Sequence, residues 1–230
     1  MAAEPVISTV IPVRDGERHL GAAIESVLGQ TRPPDEVIVI DDGSSDRSHE
    51  VARGYAPAVR CTSQPGAGPA AARNRGVSMA RGDHLAFLDA DDLWEPRKLE
   101  LQLEALRDEP SAGLVFGQVA EFHSPELDAG EIARMRRPRQ SRPGRHIGAM
   151  LATEEAWDVV GPLATTWRVG EFLDWCLRAD EAGVRSVTLP ALVLRRRLRR
   201  GSRIQANRHA MNDYARMIKA SLDRRRGVAG

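Results

Sequence analysis

The chain has few of the features typical of membrane, zinc-binding or nucleic-acid-binding proteins. It contains two cysteines, Cys61 and Cys176, and their wide separation gives no metal-ligand spacing, which predicts reduced thiols in a cytosolic protein. No apolar run approaches about 18 residues, so we expect a soluble, cytoplasmic protein with at most peripheral membrane contact. A net charge of +1 and an aromatic content of 4% argue against a nucleic-acid partner.

Three carboxylates follow a short apolar run that predicts a buried strand. Residues 85–88 are apolar, and Asp89, Asp91 and Asp92 come directly after them. Open α/β sheets bind ligands at the carboxyl ends of their strands, and carboxylate oxygens are ligands that Mg²⁺ and Mn²⁺ prefer. An isolated Asp-x-Asp is more often a charged turn that caps the next helix. The neighbouring motifs favour a metal-diphosphate site instead.

Two further β-prone runs precede this one. Residues 36–40 end at Asp41 and Asp42, and residues 6–13 contain Pro12, which cannot donate a ladder hydrogen bond. Helical stretches separate the three runs, which predicts β-α-β-α-β and a parallel sheet whose strand tips face one crevice. Ordinary turn chemistry before a helix N-cap is the alternative explanation for Asp41 and Asp42.

Four segments in sequence order resemble motifs of family 2 glycosyltransferases: residues 9–15, 37–46, 70–76 and 87–94. A fifth block, residues 169–175, resembles the acidic acceptor-side motif of that family. The resemblance implies the GT-A fold, an α/β architecture with a central, mostly parallel, Rossmann-like sheet flanked by helices. It also implies transfer from a nucleotide-diphosphate sugar with inversion of the anomeric centre.

The resemblance assigns roles to individual residues. Asp41 would accept a hydrogen bond from a uracil-type base, Asp89 would contact the ribose, and Arg73 would lie near the base and phosphates. Asp91 would bind the Mn²⁺ or Mg²⁺ ion that bridges the two phosphates. The residues expected to bind the donor are Pro12, Val13, Asp15, Asp41, Asp42, Arg73, Asp89 and Ala90.

Two carboxylates are candidates for the general base that takes the proton of the acceptor hydroxyl. Glu171 and Asp174 lie three residues apart, on one side of a predicted helix. Many relatives have a second acid where this chain has Phe172. Either acid could act, and the other could cap the helix or pair with Arg178. We place Glu171 slightly ahead because it begins the block.

Arginines dominate two later segments. Residues 124–146 predict a mobile acceptor loop, with a solvated insertion as the alternative, and residues 195–200 follow a predicted strand at 191–194. The arginines of residues 195–200 could bind a diphosphate, an anionic acceptor, a nucleic acid or an anionic lipid, or they could form an exposed face. Relatives often follow such a run with a histidine that helps to hold the metal. Arg199 takes that place here, which puts metal dependence in doubt.

We therefore predict a single GT-A domain over residues 1–230. Residues 5–115 would bind the nucleotide sugar, residues 116–200 the acceptor, and residues 201–230 would form a helical tail, with an amphipathic helix at 207–226. The donor would be UDP-linked, and the acceptor a glycan, lipid, peptide or small molecule. The alternatives are a catalytically impaired sugar-nucleotide-binding regulatory protein, and a nucleotidyltransferase, whose Gly-rich loop after the first strand is missing.

Overall fold

The computed structural model describes residues 4–167, 169–200 and 210–227. The strands are β1 (Ile7–Val13), β2 (Glu36–Asp41), β3 (Val59–Ser63), β4 (His84–Phe87), β5 (Leu93–Trp94), β6 (Leu114–His123), β7 (Arg142–Pro143), β8 (Leu151–Thr153) and β9 (Ser186–Leu198). The helices are α1 (Glu17–Leu28), α2 (Ser48–Arg53), α3 (Pro69–Met79), α4 (Lys98–Asp108), α5 (Ala129–Arg134), α6 (Glu154–Val160), α7 (Glu171–Glu181) and α8 (Ala210–Arg225).

These strands form one mixed sheet in the order β3-β2-β1-β4-β8-β6-β9-β5, with β7 added to β6. The pairs β1–β2, β1–β4 and β2–β3 are parallel, as the repeating β-α pattern predicts. Their carboxyl ends therefore lie along one edge. In the second half, β6 and β9 are parallel, whereas β5, β7 and β8 pair antiparallel with their neighbours.

Helices cover both faces of the sheet. Strand β1 is buried along its whole length, which explains its continuous apolar sequence. One buried cluster packs α1 and α4 against the sheet, and a second packs α3, α6 and α7 against it. Gly76 lets α3 lie close to β1, because a Cβ at this position would come within 2.3 Å of Val10 Cγ1. Helix α3 is thereby held close to the strand whose tip borders the crevice.

The structure differs from the sequence prediction between residues 124 and 146, where a mobile loop is expected. This segment contains α5, which starts with a capping box between Asp128 and Glu131, and β7, which pairs with β6. The capping box supplies partners for backbone N–H groups that open the helix. The sequence-based loop prediction is therefore wrong for these elements.

Strand β9 continues into the arginine run, as far as Leu198, instead of ending before it. Residues 195–197 pair with residues 120–122 of β6. The guanidinium groups of Arg195 and Arg197 lie 5.0 and 4.7 Å from the centre of the Phe122 ring. This contact offsets the partial burial of Arg197, whereas Arg195 is exposed. The run is thus a defined part of the sheet that delivers arginines to the crevice.

Helix α8 matches the predicted amphipathic helix over its described part, and residues 207–209 of that prediction lie outside the described residues. Met217 is buried against the start of α7, where a Cβ on Gly170 would come within 2.8 Å of Met217 Cε. Gly170 also has a φ of 81°, a left-handed conformation that favours glycine. Within the described residues, no helix is long and apolar enough to cross a membrane.

Candidate functional site

A cavity of about 990 Å³ opens at the carboxyl ends of β1, β2 and β4. The predicted site residues in its wall are Pro12, Val13, Asp15, Asp42, Arg73, Asp89, Ala90, Asp91 and Glu171. Asp41 and Asp174 are not part of this wall. The sheet thus brings together residues that are up to 159 positions apart in the sequence, from Pro12 to Glu171.

Asp15 connects the tip of β1 to the loop that follows β2. Its φ of 51° places it in a left-handed conformation, and its Oδ1 accepts a 2.7 Å hydrogen bond from the Ser45 backbone N–H. That backbone hydrogen bond, with a second from the Ser45 hydroxyl, lowers the pKa of Asp15 because both stabilise the carboxylate. Asp15 therefore stays ionised at the mouth of the cavity.

The two acids after β2 organise the backbone around the cavity. Asp42 accepts hydrogen bonds of 2.8 Å from the backbone N–H groups of Ala67 and Gly68, which fixes the glycine-rich loop before α3. Asp41 is buried and accepts from the Ser44 N–H at 2.9 Å. Asp42 thus borders the cavity, whereas Asp41 forms the turn behind it.

Arg73 lies between two carboxylates that come from distant parts of the chain. Its Nη2 donates to Asp89 Oδ1 at 2.5 Å, and its Nη1 donates to Glu171 Oε1 at 2.9 Å. Burial by itself would raise the pKa of Asp89, but the adjacent Arg73 cation outweighs it and the pKa falls to about 2. The site therefore holds a charged carboxylate–arginine–carboxylate bridge.

An aromatic stack positions the start of α7. Phe172 stacks on Trp175 with ring centres 5.9 Å apart, Trp175 on Trp157 at 5.2 Å, and Trp157 on Phe87 at 5.3 Å. The stack runs from β4 to α7 and fixes the helix whose first residue is Glu171. The positive end of the α7 dipole favours a carboxylate there. Phe172 is thus a packing residue.

Asp174 faces away from the cavity. Its Oδ2 accepts from Arg178 Nε at 3.0 Å, and Arg224 Nη2 lies 3.7 Å from its Oδ1. The side chain is buried and satisfied by these two arginines. The pair with Arg178 is the structural role that the sequence leaves open for one of the two acids, and Glu171 is the one that reaches the cavity.

The arginines at the end of β9 contact the acidic tip after β4. Arg199 Nε donates to Asp91 Oδ2 at 2.6 Å, and Arg197 Nε donates to the Asp91 carbonyl at 2.8 Å. The Arg197 backbone N–H donates to Asp92 Oδ1 at 2.8 Å. Burial, followed by the charges of Asp91 and Asp89, raises the pKa of Asp92 well above its ordinary value. Arg195 instead lies beside Glu95, outside the cavity wall.

Sequence reasoning assigns no role to His146, yet this residue lines the cavity. It reaches the site because the short turn Ile147–Ala149 packs beneath β4, and no local motif signals that placement. Burial, reinforced by the Arg196 charge, lowers the pKa of His146 to about 4, so the ring is neutral near pH 7. Its Nδ1 accepts from the Gly148 N–H at 3.1 Å, which leaves the ring proton on Nε2.

Asp89, Asp92 and His146 offer possible metal-ligand atoms within 4.8 Å of one another. In this geometry each of them already has a partner: Arg73 for Asp89, the Arg197 N–H for Asp92, and the Gly148 N–H for His146. Within the described residues the Oδ2 atoms of Asp89 and Asp92 accept no hydrogen bond, so each carboxylate keeps one open oxygen, whereas His146 Nδ1 already accepts. Mg²⁺ usually takes one or two carboxylates together with substrate phosphates. The predicted ligand Asp91, by contrast, is occupied by an arginine.

The family model for Glycosyl transferase family 2 matches residues 8–168, which is well over half of the chain. The chain therefore belongs to family 2 of the glycosyltransferases. The matched region contains the strand tips that carry Asp15, Asp42 and Asp89. The resemblance noted in the sequence is confirmed.

Curated relatives match over about half of the chain. The uncharacterized glycosyltransferase YibD of Escherichia coli is 41% identical over 107 residues, which are 45% of this chain and 31% of the relative. The putative glycosyltransferase EpsH of Bacillus subtilis is 34% identical over 121 residues, 51% of this chain and 35% of the relative. The chain thus aligns with about a third of the length of these relatives.

Solved structures share the architecture. The S. aureus TarS 1–349 complex with UDP-GlcNAc superposes with a TM-score of 0.70 at 16% identity, over 88% of this chain and 61% of that TarS fragment. The UDP complex of the same fragment gives a TM-score of 0.67 over 84% of this chain and 60% of the fragment. These likenesses confirm the predicted α/β GT-A fold.

Proposed function

We propose that this chain transfers a sugar from a UDP-linked donor to an acceptor hydroxyl, with inversion of the anomeric centre. The observation that carries the proposal is the Arg73 bridge, which joins Asp89 at the tip of β4 to Glu171 at the start of α7 in one cavity. The UDP and UDP-GlcNAc complexes of TarS support the choice of a UDP-linked donor. The chain would work in the cytoplasm, with at most peripheral membrane contact.

The donor half of the cavity is assigned to the strand tips. Asp42 and the glycine-rich loop would border the base, Asp89 would accept from the ribose hydroxyls, and Arg73 would hold Asp89 in place. Pro12, Val13, Asp15 and Ala90 line the same region. Asp41 would act indirectly, by shaping the turn after β2.

Glu171 would be the general base. It lies in the cavity wall at a helix N-terminus, whereas Asp174 is already held by Arg178. The acceptor oxygen attacks the anomeric carbon, its proton passes to Glu171, and the electron pair of the breaking bond goes to the diphosphate. A single displacement of this kind inverts the anomeric centre.

The Mn²⁺ or Mg²⁺ ion predicted at Asp91 stays a prediction, since Arg199 pairs with that carboxylate in the structure. The acceptor also stays open among glycan, lipid, peptide and small molecule. The regulatory alternative is favoured by Arg199 alone, because Phe172 has a packing role in the aromatic stack.

Calorimetric titration of UDP tests the donor site. Asp89→Asn should weaken UDP binding about 10- to 100-fold, since one charge-assisted hydrogen bond supplies roughly 1.5–3 kcal/mol. Asp108→Asn, at the exposed end of α4, is the matched control and should leave UDP affinity unchanged. Equal loss in both variants, or none in either, would contradict the assignment.

A panel of acceptors then separates the enzyme from the regulatory alternative. UDP release from UDP-GlcNAc that depends on an acceptor, with the product anomer read by NMR, supports transfer with inversion. Tight donor binding with no acceptor-dependent release across the panel supports the regulatory protein.

A further inference from the structure

The Arg199–Asp91 ion pair lies where a metal would be expected in this family. Its 2.6 Å contact involves the Nε of Arg199 and Oδ2 of Asp91, at the end of β9. Within the described residues, neither terminal nitrogen of Arg199 donates a hydrogen bond. Arg199 lines the cavity, so an anion bound there could accept from those N–H groups.

The same position is unfavourable for a divalent cation. Arg73 and Arg197 also donate into the acidic tip, so a metal there would meet three guanidinium groups. The metal would also have to displace Arg199 from Asp91 Oδ2, the oxygen that the metal would use as its ligand. The cation and the guanidinium groups would repel one another, and this repulsion is stronger where water is partly excluded.

A guanidinium is chemically suited to the task that the metal would perform. It remains protonated at every working pH, and its planar N–H groups match two phosphate oxygens at once. Arg197 lines the same cavity and adds positive charge beside Arg199, whereas Arg200, also in the wall, is paired with Glu131. The charge that develops on a leaving diphosphate can therefore be neutralised by the chain itself.

We propose that Arg199, in place of a divalent cation, neutralises the donor diphosphate, so that nucleotide binding and sugar transfer need no metal. This rests on the proposed function, because it concerns the leaving group of that reaction. The bond from the anomeric carbon to the diphosphate oxygen breaks, and its electron pair stays on the diphosphate. The acceptor oxygen bonds to the anomeric carbon, its proton goes to Glu171, and Arg199 keeps its own protons while it donates to the phosphate.

UDP titration in EDTA and in Mn²⁺ tests the proposal. Wild-type protein should bind UDP with affinities that agree within about twofold in the two buffers, and Arg199→Ala should bind about tenfold more weakly in EDTA, a loss of about 1.4 kcal/mol. Arg195→Ala, in the same arginine run but beside Glu95, is the matched control and should bind as wild type does. Thermal melting of each variant verifies the fold.

A second variant makes the test independent of simple loss of binding. Arg199→His removes the fixed charge and offers Asp91 a neutral partner ligand, so Mn²⁺ should strengthen UDP binding to this variant while leaving the wild type unchanged. Mn²⁺ spectra measured by electron paramagnetic resonance should show bound ion in Arg199→His and free ion in the wild type.

The two proposals fail in distinguishable ways. Wild-type UDP binding that appears only with Mn²⁺ overturns the role of Arg199 and leaves the glycosyltransferase function standing. If the Arg199→Ala variant binds UDP in EDTA as tightly as the wild type does, the role of Arg199 is overturned as well. Absence of UDP binding to the wild type in both buffers overturns the proposed function, and the Arg199 proposal with it.

Discussion

Arg73 donates to Glu171 at 2.9 Å across 98 positions of sequence. This bond connects α3, which belongs to the parallel half of the sheet, to α7, which carries the proposed base. A ligand that changes the position of Arg73 would therefore also change the position of Glu171. Under the proposed function, donor binding and base placement would be coupled through one buried side chain.

Removing the Arg73 cation should destabilise the fold. Arg73→Met leaves two carboxylates close together with no cation between them, and breaking a buried ion pair in this way costs about 3–5 kcal/mol. Urea unfolding at pH 7 measures the loss. Arg97→Met, which removes an exposed ion pair with Glu100, is the control and should change the unfolding free energy little. Equal losses of unfolding free energy in the two variants would show that the buried bridge stabilises the fold no more than an exposed ion pair does.

Glu171 and Asp174 should respond differently to loss of charge. Glu171→Gln keeps an oxygen that can accept from Arg73 but cannot take a proton, so kcat should fall about 10²–10⁴-fold while UDP affinity is retained. Asp174→Asn should mainly lower the unfolding free energy, by about 1–3 kcal/mol, since its partners are Arg178 and Arg224. Steady-state kinetics and urea unfolding on both variants check this. The reverse pattern would make Asp174 the base.

His146 should make the protein less stable in mild acid. The folded protein keeps this ring unprotonated down to pH about 4, while the unfolded chain takes up a proton near pH 6.5. The unfolded state binds more protons in that interval, so the stability contribution present above pH 6.5 is lost as the pH falls toward 4, by up to roughly 3 kcal/mol. Urea unfolding from pH 7 to 4 should show this loss in wild type relative to His146→Gln. Parallel curves for the two proteins would contradict it.

Lys98 should make the stability of the protein depend on pH in the alkaline range. It is fully buried, its Nζ donates to Gln102 Oε1 at 2.6 Å and to the Met150 carbonyl at 3.1 Å, and burial lowers its pKa well below the ordinary value. Because the unfolded lysine holds its proton up to about pH 10.5, wild-type stability should rise with pH relative to Lys98→Met. Urea unfolding at pH 7, 8.5 and 10 measures the difference. A constant difference would mean that Lys98 stays charged in the fold.

The first half of the fold was predictable because its signals are local. Each strand tip is marked by an apolar run followed by acids, so the positions of Asp42 and Asp89 at one edge follow from the parallel β-α pattern. The second half depends on long-range register. The pairing of β9 with β6 brings Arg199 to Asp91, 108 positions away. No local pattern signals this contact, and only the family resemblance, which puts Arg199 in the place of a metal-holding histidine, links the two residues.

The same difference between local and long-range signals explains why the sequence leaves two candidate bases open. Spacing places Glu171 and Asp174 on one side of a helix, but it cannot tell which of them faces the cavity. That depends on the aromatic stack and on α8, whose Met217 packs beside Gly170. These are tertiary contacts between elements that a helical period does not describe.

The aromatic stack also gives the site a spectroscopic signal. The indole rings of Trp157 and Trp175 lie 5.2 Å apart at 29°, close enough for their excited states to couple. Since one ring is carried by α6 and the other by α7, their coupled near-ultraviolet circular dichroism signal would follow any displacement of α7. The chain therefore carries an intrinsic spectroscopic reporter of the helix that presents Glu171, with no label attached.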